Sequence, residues 1–128
     1  MTGLRRNGWW WGILLVASVW IWLCPMPAFA HAYVVRSDPI AGASLTAPPA
    51  RIQIWFDEPV DAGKDALVVT DERGRRVDAG DARVDPKDPL HLSVSLQPNL
   101  GEGLYSAHWR VVSADGHPVA GTLPFSVG

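Results

Sequence analysis

The chain has 128 residues, 48% hydrophobic and 19% charged, which is the balance of a protein that folds around a core. Eleven Lys and Arg against thirteen Asp and Glu give a formal net charge of -2, which argues against a basic nucleic-acid binder. Five of the seven Trp, both Met and the single Cys precede residue 31, so the 98 residues that follow hold neither a disulfide nor a zinc–cysteine site and are short for an enzyme with its own cleft.

Residues 1–30 read as a secretory signal peptide. Arg5 and Arg6 form a positive start, and an apolar stretch runs from Trp9 to Leu23. Pro25 and Pro27 end any helix, and Ala28-Phe29-Ala30 fits the small-x-small cleavage pattern. Cleavage after Ala30 is expected, leaving an exported, periplasmic or extracytoplasmic domain over 31–128. Two alternatives stand beside it. An uncleaved anchor would need roughly 20 apolar residues, more than this stretch supplies. A lipoprotein modified at Cys24 would need a small residue where Leu23 stands.

From Tyr33 onward no helical apolar period is sustained, and short alternating runs appear instead. The first expected strand is Ala32 to Arg36, stopped by Ser37-Asp38-Pro39. Arg51 to Phe56 sets Ile52, Ile54 and Phe56 against Gln53 and Trp55. Ala66 to Thr70 is a third run, closed by Asp71-Glu72-Arg73-Gly74, with Arg75 to Val77 as a hairpin partner. Leu90 to Leu96 sets Leu90, Leu92, Val94 and Leu96 against His91, Ser93 and Ser95. Leu104 to Val112 sets Tyr105, Ala107, Trp109 and Val111 against Ser106, His108 and Arg110, and the first set is the expected core face. Tyr105, just after Gly101-Glu102-Gly103-Leu104, is placed for a tyrosine corner. Val119 to Val127 is the last strand, with Pro124 suggesting an edge or a bulge. About seven short strands with Pro, Gly and Asp turns predict an all-β, immunoglobulin-like Greek-key sandwich.

No fingerprint of a hydrolase, zinc protease, P-loop or Rossmann fold occurs, and the notable feature is histidine placement. Cleavage after Ala30 would make His31 the amino terminus, with an α-amine and an imidazole Nδ1 on one residue. Both could bind one metal in a six-membered chelate ring. Reference pKa values of about 7.7–8.0 and 6.5 let both groups lose a proton to a metal near neutral pH. Two such nitrogens suit Cu(II), which tops the divalent affinity order. In Ser113-Ala114-Asp115-Gly116-His117-Pro118, residues two apart can present the Asp115 carboxylate and the His117 imidazole together. An Asp-Gly turn with a solvated His is the plainer reading of that segment. Glu58 continues the core-facing side of Phe56 toward one end of the sandwich, as a ligand or as an acceptor behind one. Asp57 and Asp61 read as solvated turn acids, and His91 and His108 as solvated surface residues.

Together these residues resemble the CopC family of periplasmic copper-binding proteins. The likeness opens with His31-Ala32, Ser37-Asp38-Pro39 and Gly42-Ala43 and includes Phe56-Asp57-Glu58-Pro59-Val60. It is most specific from Gly103 to Pro118, followed by Gly121 and Phe125. The resemblance implies a sandwich binding one Cu(II) per chain through His31 (amine and imidazole), Asp115 and His117, with Glu58 at the family's nearby acidic position. It implies a copper carrier or buffer in copper resistance or homeostasis, not an enzyme, and a separate copper-transporting membrane protein as partner. A Met-rich Cu(I) site of some members has no counterpart here, since no Met follows residue 26. A histidine-brace copper oxygenase and a non-metal adhesion or interaction sandwich are the alternative functions.

Overall fold

The computed structural model describes residues 31–128; the segment read as a signal peptide lies outside the described residues. Nine strands follow in chain order: β1 Val34–Asp38, β2 Ala43–Leu45, β3 Arg51–Phe56, β4 Val60–Asp61, β5 Leu67–Asp71, β6 Arg83–Asp85, β7 Asp88–Ser95, β8 Gly103–Ser113 and β9 Pro118–Val127. One sheet has the order β1-β3-β7-β6. The other has the order β2-β9-β8-β4, with β5 also paired to β8. The expected all-β sandwich is the observed architecture.

The core forms where period-2 alternation is cleanest. Ile52, Ile54 and Phe56 of β3 and Leu92 and Val94 of β7 are almost fully buried on the inner face of the first sheet. Leu67 and Val69 of β5, Tyr105, Ala107 and Val111 of β8, and Leu123, Phe125 and Val127 of β9 meet them from the second. Burying a side chain such as Ile or Leu is worth roughly 1.5–3 kcal/mol, so these alternating runs dominate the stability. Tyr105 stacks on Phe125 at a centroid distance of 5.3 Å, and its hydroxyl donates to the Gly101 carbonyl at 2.6 Å. The tyrosine corner therefore anchors the start of β8.

Trp109 lies on the core face but stays half-buried. Its indole meets Phe56 edge-on at 5.3 Å and covers Gly121, its cross-strand partner. A Cβ at position 121 would sit 2.5 Å from the indole Cζ2, so glycine there makes room for the ring.

Several expectations are adjusted. The first strand begins at Val34, with Ala32 buried ahead of it, and extends through Asp38. The strands β2, β4 and β6 have only two or three residues each, too few to show a period. Arg75–Val77 returns toward β5 through a single Thr70–Arg76 bridge and not as a strand. Pro124 makes no bulge, because the β8–β9 register is continuous across it. Its carbonyl accepts from the Gly42 N–H at 2.7 Å, so its nitrogen faces the β2 side and no β8 ladder bond is lost.

The loop after β5 is held by a buried carboxylate. Asp78 accepts from the backbone N–H groups of Val69 and Gly80, each at 2.9 Å, and from the Arg76 guanidinium at 2.9–3.0 Å. Burial pushes its pKa up, but the Arg76 hydrogen bonds and the two N–H donors outweigh this and hold it below the ordinary carboxylate value. A depressed folded-state pKa contributes stability that is present above about pH 4, the unfolded value. That stability is lost as pH falls through the folded value. Asp78→Ala should cost about 2–3 kcal/mol at pH 7, by orphaning two N–H groups and a guanidinium. Denaturant titrations should also show a flatter decline of stability below about pH 4 in the variant than in the parent.

Candidate metal centre

The candidate site lies at the end of the sandwich where β8 gives way to β9, and three separate chain segments build it. The first carries His31. Ala32 is buried, and Tyr33 is tied to Asp57 in both directions. The Tyr33 N–H donates to Asp57 Oδ1 at 2.7 Å, and the Asp57 N–H donates to the Tyr33 carbonyl at 3.0 Å. Asp57 is thus an anchor for the His31 segment and not a freely solvated turn acid. The second segment is the turn from β3 to β4. The pairing of Val60 with Ser113 carries Glu58 to the end of β8, where its Oε1 accepts a long hydrogen bond from the Ala114 N–H at 3.4 Å.

The third segment is the β8–β9 turn. The Ser113 N–H donates to the His117 carbonyl at 3.0 Å, and the Gly116 N–H donates to the Ser113 carbonyl at 2.9 Å. Gly116 has φ +85, a conformation that favours glycine. Within this turn the Asp115 carboxylate has two unlike oxygens. Oδ1 accepts from the Ser113 hydroxyl and from the His117 N–H, the latter at 3.1 Å. Oδ2 is buried without a hydrogen-bond partner. His117 Nδ1 lies 3.2 Å from Oδ2 and His31 Nδ1 lies 3.8 Å from it, with the two rings edge to face at 5.8 Å. The Ser113 hydroxyl and the His117 N–H hold the Asp115 pKa down to about 2, against the upward push of burial.

His31, Asp115 and His117 therefore meet in one place, with Glu58 one hydrogen bond behind the turn. Among the described residues no group of three or more His, Cys, Asp or Glu closes to metal-ligand distances. The two imidazoles converge on Oδ2 without enclosing it. A buried carboxylate oxygen with no donor, faced by two imidazole nitrogens, is a donor set that fits a divalent, nitrogen-preferring cation.

The other two histidines stand apart. His108 is exposed on the outer face of the second sheet, with the Thr70 and Thr122 hydroxyls each 3.3 Å away. His91 is not solvated as expected. It stacks on Trp55 at 4.4 Å, nearly parallel, and the Arg36 guanidinium covers the Trp55 ring at 3.8 Å.

A family model described as the CopC domain matches residues 34–128. The chain belongs to the CopC family. The CopC family consists of copper-binding proteins and not of enzymes. The chain is 43% identical over 126 residues to the copper transport protein CutJ of Bacillus subtilis, covering 98% of its own length but 22% of that larger protein. Among solved structures, CopC from Methylosinus trichosporium OB3b superposes with a TM-score of 0.66 at 28% identity, covering 76% of this chain and 93% of that one. PcoC, a methionine-rich copper resistance protein from Escherichia coli, gives a TM-score of 0.61 at 30% identity, covering 77% and 100%. A role in copper binding follows for this CopC protein from its family.

The sequence signals most easily missed were Asp57 and Ser113. Asp57 follows a buried Phe at a strand end, which looks like any turn acid. Ser113 occupies the core-facing position of β8 after Tyr105, Ala107, Trp109 and Val111, and a hydroxyl on that face is a signal in itself.

The turn geometry makes an expectation independent of metal. Asp115→Ala should speed hydrogen exchange at the His117 amide by about fivefold, through loss of its acceptor. The exchange of core amides in β8 and β9 should be unchanged.

Proposed function

We propose that residues 31–128 form an exported Cu(II) carrier or buffer that binds one copper through the amine and imidazole of His31, the carboxylate of Asp115 and the imidazole of His117. The observation that carries this reading is the approach of both Nδ1 atoms to the unpartnered, buried Oδ2 of Asp115. The Asp115 carboxylate already takes two donors on Oδ1, so Oδ2 is the acceptor left for a cation, and a buried acceptor without a partner is unfavourable. Nitrogen-rich sets of this kind favour Cu(II), and no Cys or Met follows residue 26 to favour Cu(I). Glu58, held against Ala114, steadies the turn from behind and is assigned no direct bond to the metal.

The amine donor requires export and cleavage after Ala30, which is why the signal reading and the site reading stand together. The side chains of His31 and His117 are 42% and 58% exposed, so a bound ion would sit at the surface, where it can be passed on. A carrier needs that access, whereas a buried structural metal does not. A separate copper-transporting membrane protein is the proposed recipient.

The decisive experiment compares the protein beginning at His31 with one carrying a single extra residue before it. The extra residue turns the amine into an amide, a far poorer donor. Competitive titration should show Cu(II) affinity reduced by about two orders of magnitude or more, and equal affinities would remove the amine from the site.

Copper electron paramagnetic resonance should lose one imidazole coupling in His117→Ala. It should keep the parent spectrum in His91→Ala and His108→Ala, because those rings lie on the outer sheet faces.

Affinity should also fall as pH drops from about 7 toward about 4, because each nitrogen donor must shed a proton to bind. Asp115, with its pKa near 2, remains an anion throughout that window. The same titration in Asp115→Asn should therefore give a weaker curve of similar shape.

A further inference from the structure

We propose that Ser113 is a positioning residue of the copper site, whose hydroxyl locks the Asp115 carboxylate so that Oδ2 alone is presented to the metal. The inference rests on the site reading above and deepens it. Ser113 is 3% exposed, and Asp78 is the other buried polar or charged residue among those described. Tyr105, Ala107, Trp109 and Val111 precede Ser113 at alternate positions on the core face of β8, so an apolar side chain would meet the packing requirement at 113. A buried hydroxyl is unfavourable there unless it makes a hydrogen bond. The backbone of Ser113 is fixed by its pairing with Val60 and by its two turn hydrogen bonds with Gly116 and His117. The hydroxyl therefore projects from a rigid point.

That hydroxyl lies within reach of two acceptors, Asp115 Oδ1 and the His117 carbonyl, the latter at 3.0 Å. It has one proton to give, and the charged carboxylate is the stronger acceptor. With the Ser113 proton and the His117 N–H both on Oδ1, rotation of the carboxylate would break two hydrogen bonds at once. Without the hydroxyl, a single N–H remains to hold a terminal torsion that is otherwise broad. The carboxylate would then spend part of its time with Oδ2 turned away from the two imidazoles.

The test is a double-mutant cycle in the protein beginning at His31, with Cu(II) as the probe. Ser113→Ala keeps the Cβ and should weaken Cu(II) about 10–100-fold, the usual cost of removing a group that orients a ligand. Its paramagnetic resonance spectrum should shift from that of the parent. Ser113→Thr keeps the hydroxyl and should restore most of the affinity. In an Asp115→Ala background, Ser113→Ala should have almost no further effect, because the hydroxyl would have nothing left to orient. Parent affinity in Ser113→Ala would overturn the proposal. So would equal losses in the Ala and Thr variants, or additive losses in the cycle. Failure of the site reading itself looks different, since His31→Ala and Asp115→Ala would then both bind copper like the parent.

Discussion

The antiparallel ladder between β8 and β9 joins ten successive residue pairs, from Gly103–Val127 to Val112–Pro118. Every other part of the second sheet is attached to it. The strand β2 lies against β9, while β4 and β5 lie end to end along the far side of β8. The eleven residues of β8 span about 33 Å at the usual strand rise. The start of the strand is tied down by the tyrosine corner and its end by the closed Ser113–His117 turn. A strand fixed at both ends leaves that turn little freedom. An Asp-Gly turn that would otherwise be an ordinary solvated loop becomes a rigid platform for a carboxylate and an imidazole.

The other residues of the candidate site come to this platform from far away in the chain. His31 is separated from Asp115 by most of the described sequence, and Glu58 by more than fifty residues. Folding of the sandwich covers the entropy of bringing them together, so a bound ion need not. The reciprocal Tyr33–Asp57 hydrogen bonds and the burial of Ala32 are the last links, because they fix the segment next to His31. With Tyr33 and the first two residues of β1, Val34 and Val35, all exposed, this segment would not be held by packing alone.

The fold was legible wherever apolar residues alternate for five or more positions. β3, β7 and β8 emerged at close to their full lengths because each has one face in the core. The short strands left no period to detect, since backbone pairing to neighbours places them and their own side chains do not. At the site, the residue types and spacings of Asp115 and His117 were readable because both lie in one turn. The approach of His31 to them was not readable from spacing at all, and came from resemblance to a family. Misreading His91 as solvated has a simple cause. Outer-face position suggests exposure, but Trp55 directly across the ladder offers a flat apolar surface for the imidazole. Aromatic neighbours on an outer sheet face can bury what the alternation alone would leave in water.

Asp78 and Asp115 are two carboxylates that differ in how their acceptor sites are used. Both have pKa values pulled below the ordinary range, and both accept a backbone N–H from two residues further along the chain, Gly80 for Asp78 and His117 for Asp115. Neither the shift nor the loop geometry distinguishes them. The difference is unused acceptor capacity. At Asp78, Oδ1 takes the Gly80 N–H and Oδ2 takes the Val69 N–H, and the Arg76 guanidinium bonds to both. Nothing remains for a ligand, and a cation is already in place. At Asp115, both donors fall on Oδ1, and Oδ2 is left buried with only imidazole nitrogens beside it. An anion arranged in this way has imidazoles beside it where Asp78 has a guanidinium. That free acceptor oxygen, more than the lowered pKa, is what distinguishes the Asp115 turn from the Asp78 loop.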